Sequence, residues 1–172
     1  FHAEHAAVMR YAARVAATGD VEDVVADTFL IAWRRLGDVP DPPRAWLLGV
    51  ARRSAANRRR GEGRRAALAD RLAQEPDAGQ VVTRTDHPAD TPVLRAYARL
   101  SPADREVLAL VAWDGLDGRQ AAAVIGCSAA AFRVRLHRAR RRLERALDDE
   151  HADAARRPSP QPTIAARSRR AS

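Results

Sequence analysis

The sequence predicts an all-α protein: two small helical domains joined by a flexible linker, the second containing a helix-turn-helix. Three observations carry this. Ala, Leu and Arg dominate while aromatic residues make up only 5%, a composition of helix formers. Apolar residues recur at three- and four-residue steps through most of the chain, the spacing of one helical face. Between two such regions lies a stretch broken by Pro76, Gly79, Pro88 and Pro92, where no helix can persist. The expected division is residues 1–65 for the first domain, 66–92 for the linker, 93–147 for the second domain and 148–172 for a disordered tail.

A first helix is expected over Phe1–Ala17, with Val8, Tyr11, Ala12 and Val15 on one side, stopped by Thr18-Gly19-Asp20. The next runs from about Val21 to Leu36. Its core stripe is Val21, Val25, Thr28, Ala32 and Leu36, widened by Val24, Ile31 and Phe29. At 100° per residue Leu30 points the opposite way, near Asp23 and Asp27, with Trp33 at the border. An apolar residue ringed by acids on an outer face suits a protein docking surface, and a single exposed leucine is equally ordinary. The residues alone leave both readings open.

Gly37-Asp38-Val39-Pro40-Asp41-Pro42-Pro43 is expected to be a stiff loop. A third helix starts near Pro43 and turns Trp46, Leu47, Val50, Ala51 and Ser54 to a core. Its far end is crowded with arginine. Residues 41–65 hold 8 arginines against 2 acids, more than a helix C-terminus needs to offset its dipole, and phosphate contact explains the excess. Helical pattern continues over Ala66–Gln74 before the linker breaks. The second domain opens with Val93–Leu100. Ser101-Pro102-Ala103-Asp104 then supplies an N-cap, an N1 proline and a first-turn acid for a helix that buries Val107, Leu108, Leu110 and Val111 and ends at Asp114-Gly115.

Gly115 to Ser128 reads as a short helix and a tight turn. Gly126 is free to take the turn's backbone conformation and Ser128 caps the helix after it. Phe132, Leu136, Ala139, Leu143 and Leu147 form the apolar stripe of that long helix. Residues 128–147 carry 7 arginines against 1 acid. A short helix, a glycine turn and a basic second helix match the DNA-reading helix-turn-helix. An ordinary helical hairpin with a solvated basic face is the plain alternative, and the one-sided charge favours DNA.

The net charge is +8, and all 30 basic residues are arginine. The single cysteine, Cys127, excludes an internal disulfide or a cysteine-built zinc site; it is expected as a small hydrophobe buried in the turn. The longest apolar runs, Ala45–Ala51 and Val107–Trp113, are too short to span a bilayer, and no secretory signal is visible, so a cytoplasmic protein is expected. His2, His5, His87, His137 and His151 show no metal spacing with carboxylates and no glycine-rich phosphate loop occurs. No catalytic residue, cofactor or metal is therefore expected. The chain opens on Phe1 inside a helical pattern, so residues preceding it are expected.

Three segments, in order, resemble those of bacterial RNA polymerase sigma factors of the extracytoplasmic-function type, which keep only two helical domains. Asp20-Val21-Glu22-Asp23-Val24-Val25-Ala26-Asp27-Thr28-Phe29-Leu30-Ile31-Ala32-Trp33 is similar to the family helix that docks on the clamp coiled coil of the polymerase's largest subunit. The resemblance implies polymerase contacts by Asp23, Asp27, Leu30 and Trp33, which favours docking for Leu30. Ala45-Trp46-Leu47-Leu48-Gly49-Val50-Ala51-Arg52-Arg53-Ser54-Ala55-Ala56-Asn57-Arg58-Arg59-Arg60 resembles the segment that opens DNA and reads the upstream end of the minus-ten element, implying roles for Arg53, Asn57, Arg58, Arg59 and Arg60. Leu100–Leu108 through Phe132–Arg140 resembles the domain that reads the minus-thirty-five element. That implies DNA contact by Arg133, Val134, Arg135, His137 and Arg138. The implied partners are core RNA polymerase and promoter DNA, with an anti-sigma protein as a further candidate; neither a membrane nor a small-molecule substrate is implied. A stand-alone helix-turn-helix regulator that never meets polymerase is the alternative, and it leaves residues 20–60 unexplained.

Overall fold

The computed structural model describes residues 2–72 and 91–156. Among them every regular element is helical: α1 (His2–Val15), α2 (Val21–Arg34), α3 (Arg44–Leu72), α4 (Pro92–Ala98), α5 (Pro102–Ala112), α6 (Gly118–Ile125) and α7 (Ala129–Arg156), with short 3-10 turns at Thr18–Asp20 and Leu36–Asp38. The linker expected between the domains falls largely outside the described residues; α3 continues through Gly61 and Gly63 as far as Leu72.

Helices α1, α2 and α3 pack together as the first bundle, burying Val8, Tyr11, Ala12, Val24, Val25, Thr28, Ala32, Leu47 and Ala51. Thr28 is tolerated there because its hydroxyl donates to the Val24 carbonyl at 2.6 Å. Leu36, expected on the α2 stripe, is instead 68% exposed. The helix ends at Arg34 and the chain turns into the 3-10 segment, so the 100° step no longer carries Leu36 to the core.

Five consecutive α3 residues, Leu47 to Ala51, are buried. One amphipathic face cannot do this; such a helix must be covered on both sides. Here α1 and α2 cover one side and α6 the other. Gly49 lies at this contact, where a Cβ would meet the Val124 Cα at 3.9 Å, an ordinary van der Waals distance.

In the second bundle α4, α5 and α6 pack against α7. Ser101 caps α5, accepting from the Asp104 amide at 3.1 Å, and Thr91 caps α4, accepting from the Leu94 amide at 3.3 Å. The tail expected to be disordered from Asp148 is helical as far as Arg156, and residues 157–172 lie outside the described set. Glu150 falls on the same stripe as Phe132 and Leu143 by helical step. It is buried, and Arg95 of α4 and Arg99 just past its end meet its carboxylate at 2.7 and 3.1 Å. An ion pair does there what an apolar residue does elsewhere on the stripe.

Polar groups also join the two bundles. The buried Tyr11 hydroxyl donates to Glu106 Oε1 at 2.6 Å, and Arg52 donates to both oxygens of the same carboxylate at 2.9 and 3.3 Å. Burial, and then the Glu106 charge, push the Tyr11 phenol above its ordinary pKa, so the proton stays on tyrosine. Arg14 pairs with the buried Asp114 and lies against the rings of Tyr11 and Trp113, 5.6 and 5.9 Å from their centroids.

Candidate functional site

The helix-turn-helix forms as its residues dictate. Asp117 accepts from the Arg119 and Gln120 amides at 2.8 and 2.9 Å. The Gln120 side chain accepts in return from the Asp117 amide at 2.9 Å, completing a capping box. Gly126 adopts φ 77° and ψ 42°, the left-handed conformation that ends α6 at no steric cost. Ser128 then caps α7, accepting from the Ala131 amide at 3.1 Å. Cys127, expected buried in this turn, is half-buried.

Phe132 and Ala139 anchor α7 in the core, which fixes the opposite face outward. Arg133, Val134, Arg135, His137 and Arg138 are all exposed. None of these arginines is ion-paired to a described residue, so their charge is available to a polyanion. At 100° per residue, Ala130, Val134, His137 and Arg141 line the centre of that face. Sequence reasoning missed Arg141, although its spacing four after His137 places it there.

A second face lies on α2. Trp33 is 77% and Leu30 48% exposed, with the carboxylates of Asp23 and Asp27 beside them on the same helix. An exposed Trp and Leu flanked by acids make an amphipathic surface suited to a basic, partly apolar partner.

The third group, on α3, divides. Arg53, Asn57 and Arg60 recur at four and three residues and form one exposed stripe, with Arg60 donating to the Asn57 side-chain amide oxygen Oδ1. Arg59 is exposed as well. Arg58 is turned to α2, where its guanidinium meets Asp23 at 2.8 Å, Asp27 at 3.3 Å and Asp20 at 3.4 Å. Asp27, Arg53, Asn57 and Arg58 share one groove between α2 and α3. The two residue sets that the sequence kept apart are therefore neighbours. Sequence reasoning missed this pairing because the two partners lie 31 to 38 positions apart and no local pattern links them. Among the described residues no group of three His, Cys, Asp or Glu could hold a metal ion, and no helix is long and apolar enough to cross a membrane.

Comparison with known proteins places the chain in a family. Residues 1–65 match the family model for Sigma-70 region 2, and residues 91–143 that for Sigma-70, region 4. Over 141 residues the chain is 36% identical to the RNA polymerase sigma factor CnrH of Cupriavidus metallidurans, covering 75% of this chain and 74% of that protein. Over 158 residues it is 34% identical to the ECF RNA polymerase sigma factor SigL of Mycobacterium tuberculosis, covering 85% and 86%. Among solved structures, it is similar to the sigma factor RpoE in complex with the anti-sigma factor NepR from Bartonella quintana, with a TM-score of 0.62, 27% identity and coverage of 84% and 92%. It is also similar to CnrH in complex with the cytosolic domain of CnrY, with a TM-score of 0.53, 32% identity and coverage of 86% and 84%. Two region models in order, with relatives matched over most of their length, identify the chain as a member of the extracytoplasmic-function RNA polymerase sigma factors.

Proposed function

We propose that this chain carries core RNA polymerase to promoters through two faces of opposite character, α2 for the polymerase and the arginine-lined α7 for upstream DNA. The observation that supports this most is that both faces are exposed at once. Asp23, Asp27, Leu30 and Trp33 dock on the clamp helices of the largest subunit. Arg133, Val134, Arg135, His137 and Arg138 lie along the upstream major groove, where arginine pairs with guanine O6 and N7. Arg53, Asn57, Arg59 and Arg60 hold the DNA near the start site as its strands part. The chain itself performs no covalent chemistry, and it works in the cytoplasm, where promoter and polymerase meet. The relatives solved with NepR and CnrY support an anti-sigma protein as a further partner. A stand-alone regulator is not favoured, since it gives the region-2 match over residues 1–65 no purpose.

Run-off transcription with purified core polymerase on genomic fragments tests the reading; no promoter-dependent transcript from the wild-type chain would overturn it. Trp33→Ala should leave the fold within about 0.5 kcal/mol, because the side chain buries little. It should weaken core polymerase binding by about 2 kcal/mol, roughly thirtyfold, as loss of an interface tryptophan does.

The two DNA-facing groups should respond differently. Arg133→Ala should relax base preference at one upstream position by about 1–3 kcal/mol. Arg59→Ala should weaken all sequences alike and lower the salt slope by about one phosphate. Binding titrations on single-base promoter variants at several salt concentrations separate the two.

A further inference from the structure

We propose that Arg58 is a charge gate between the docking face and the DNA-handling helix, an inference that rests on the function just given. In the free chain its guanidinium is spent on α2: Nη1 lies 2.8 Å from Asp23 Oδ2, and Nε and Nη2 lie 3.3 Å from Asp27 Oδ2. Asp20 adds a third carboxylate at 3.4 Å. One cation against three carboxylates leaves the cluster negative, and it draws a cationic partner.

Asp23 and Asp27 are the acids that face polymerase. A basic docking surface therefore competes with Arg58 for the same oxygens. Ser54 keeps Asp27 oriented during the exchange, donating to its Oδ2 at 2.9 Å. The Arg58 side chain is 30% exposed, so it leaves by rotation about its own bonds without opening the core. Once released, it stands between Asn57 and Arg59 on the DNA-handling helix and adds one phosphate contact. Capture of polymerase thus strengthens the grip on DNA. By linkage, a phosphate that draws Arg58 away bares the acids for polymerase to the same degree.

The test uses the full chain, without polymerase, binding an arbitrary-sequence DNA duplex across a salt series, because phosphate contacts are independent of sequence. With Asp20, Asp23 and Asp27 intact, Arg58→Ala should change neither affinity beyond twofold nor the salt slope. In the Asp20→Asn/Asp23→Asn/Asp27→Asn background, which removes all three carboxylate partners, the same substitution should lower the slope by about 0.9 and the affinity several-fold. In that background Arg58→Lys should restore the slope, which a mere folding defect would not do. Equal effects of Arg58→Ala in both backgrounds, or none in either, overturn the gate. A second arm repeats the salt series with core polymerase bound, where Arg58→Ala should lower the slope even with all three aspartates native; an unchanged slope overturns the gate. Failure of the wild-type chain to bind polymerase at all would instead overturn the function proposed above, while leaving the polymerase-free arm to be read on its own.

Discussion

Phe132→Ala should unfold the second bundle and abolish upstream DNA binding while leaving the exposed arginines unchanged in sequence. Phe132 is among the largest fully buried side chains and sits one turn into α7, where it ties that helix to the core that α5 and α6 share. Truncating a buried phenylalanine costs about 3–5 kcal/mol, a large part of the roughly 5–15 kcal/mol that holds a typical domain folded. Thermal unfolding followed by circular dichroism should show a low-melting transition for the α4–α7 residues. Phe132→Leu should keep more of the stability than Phe132→Ala, because it removes less buried surface and leaves a smaller cavity. Arg133→Ala, one residue on, should melt with the wild type. If Phe132→Ala melted with the wild type as well, α7 would not be held by this contact, and the outward placing of Arg133 to Arg138 would lose its cause.

The legibility of these residues in the sequence tracks the range of the forces involved. The helix-turn-helix was readable because each of its parts acts within a few positions. Gly126 permits the left-handed turn, Ser128 caps within three residues, and the Phe132–Leu143 stripe repeats every turn. The outward placing of Leu30 was readable for the same reason, whereas Trp33, expected at the border, is 77% exposed. Three features were not. Leu36 left its stripe because α2 ends before it, and a helical step cannot report its own end. Glu150 resembled the start of a polar tail because its partners, Arg95 and Arg99, lie in or beside α4. Arg58 looked like its arginine neighbours until α2 was seen beside it. The last two are charges whose environment is set by residues distant in sequence.

Contact between the bundles belongs to the same class, and it yields the second large expected effect. Glu106→Ala should separate the two bundles. The Glu106 carboxylate takes bonds from Tyr11 and Arg52 of the other bundle. Once it is removed, the buried Tyr11 hydroxyl has no acceptor, a loss of about 1–3 kcal/mol. Arg52 keeps 36% of its side chain in solvent, so water replaces much of what it loses. The penalty therefore falls on tyrosine, and it acts on a contact whose other members are the Arg14–Asp114 pair and the α3–α6 packing at Gly49. Small-angle scattering should show a larger radius of gyration, and thermal unfolding should split into two transitions, one for each bundle. Tyr11→Phe combined with Glu106→Leu should recover most of the closed form, because removing both partners leaves no buried donor unsatisfied. If the double variant were as open as Glu106→Ala, the hydroxyl would not be the source of the penalty. The contact would then depend on the charge of Glu106 against Arg52, and Arg52→Ala should open the chain to the same extent.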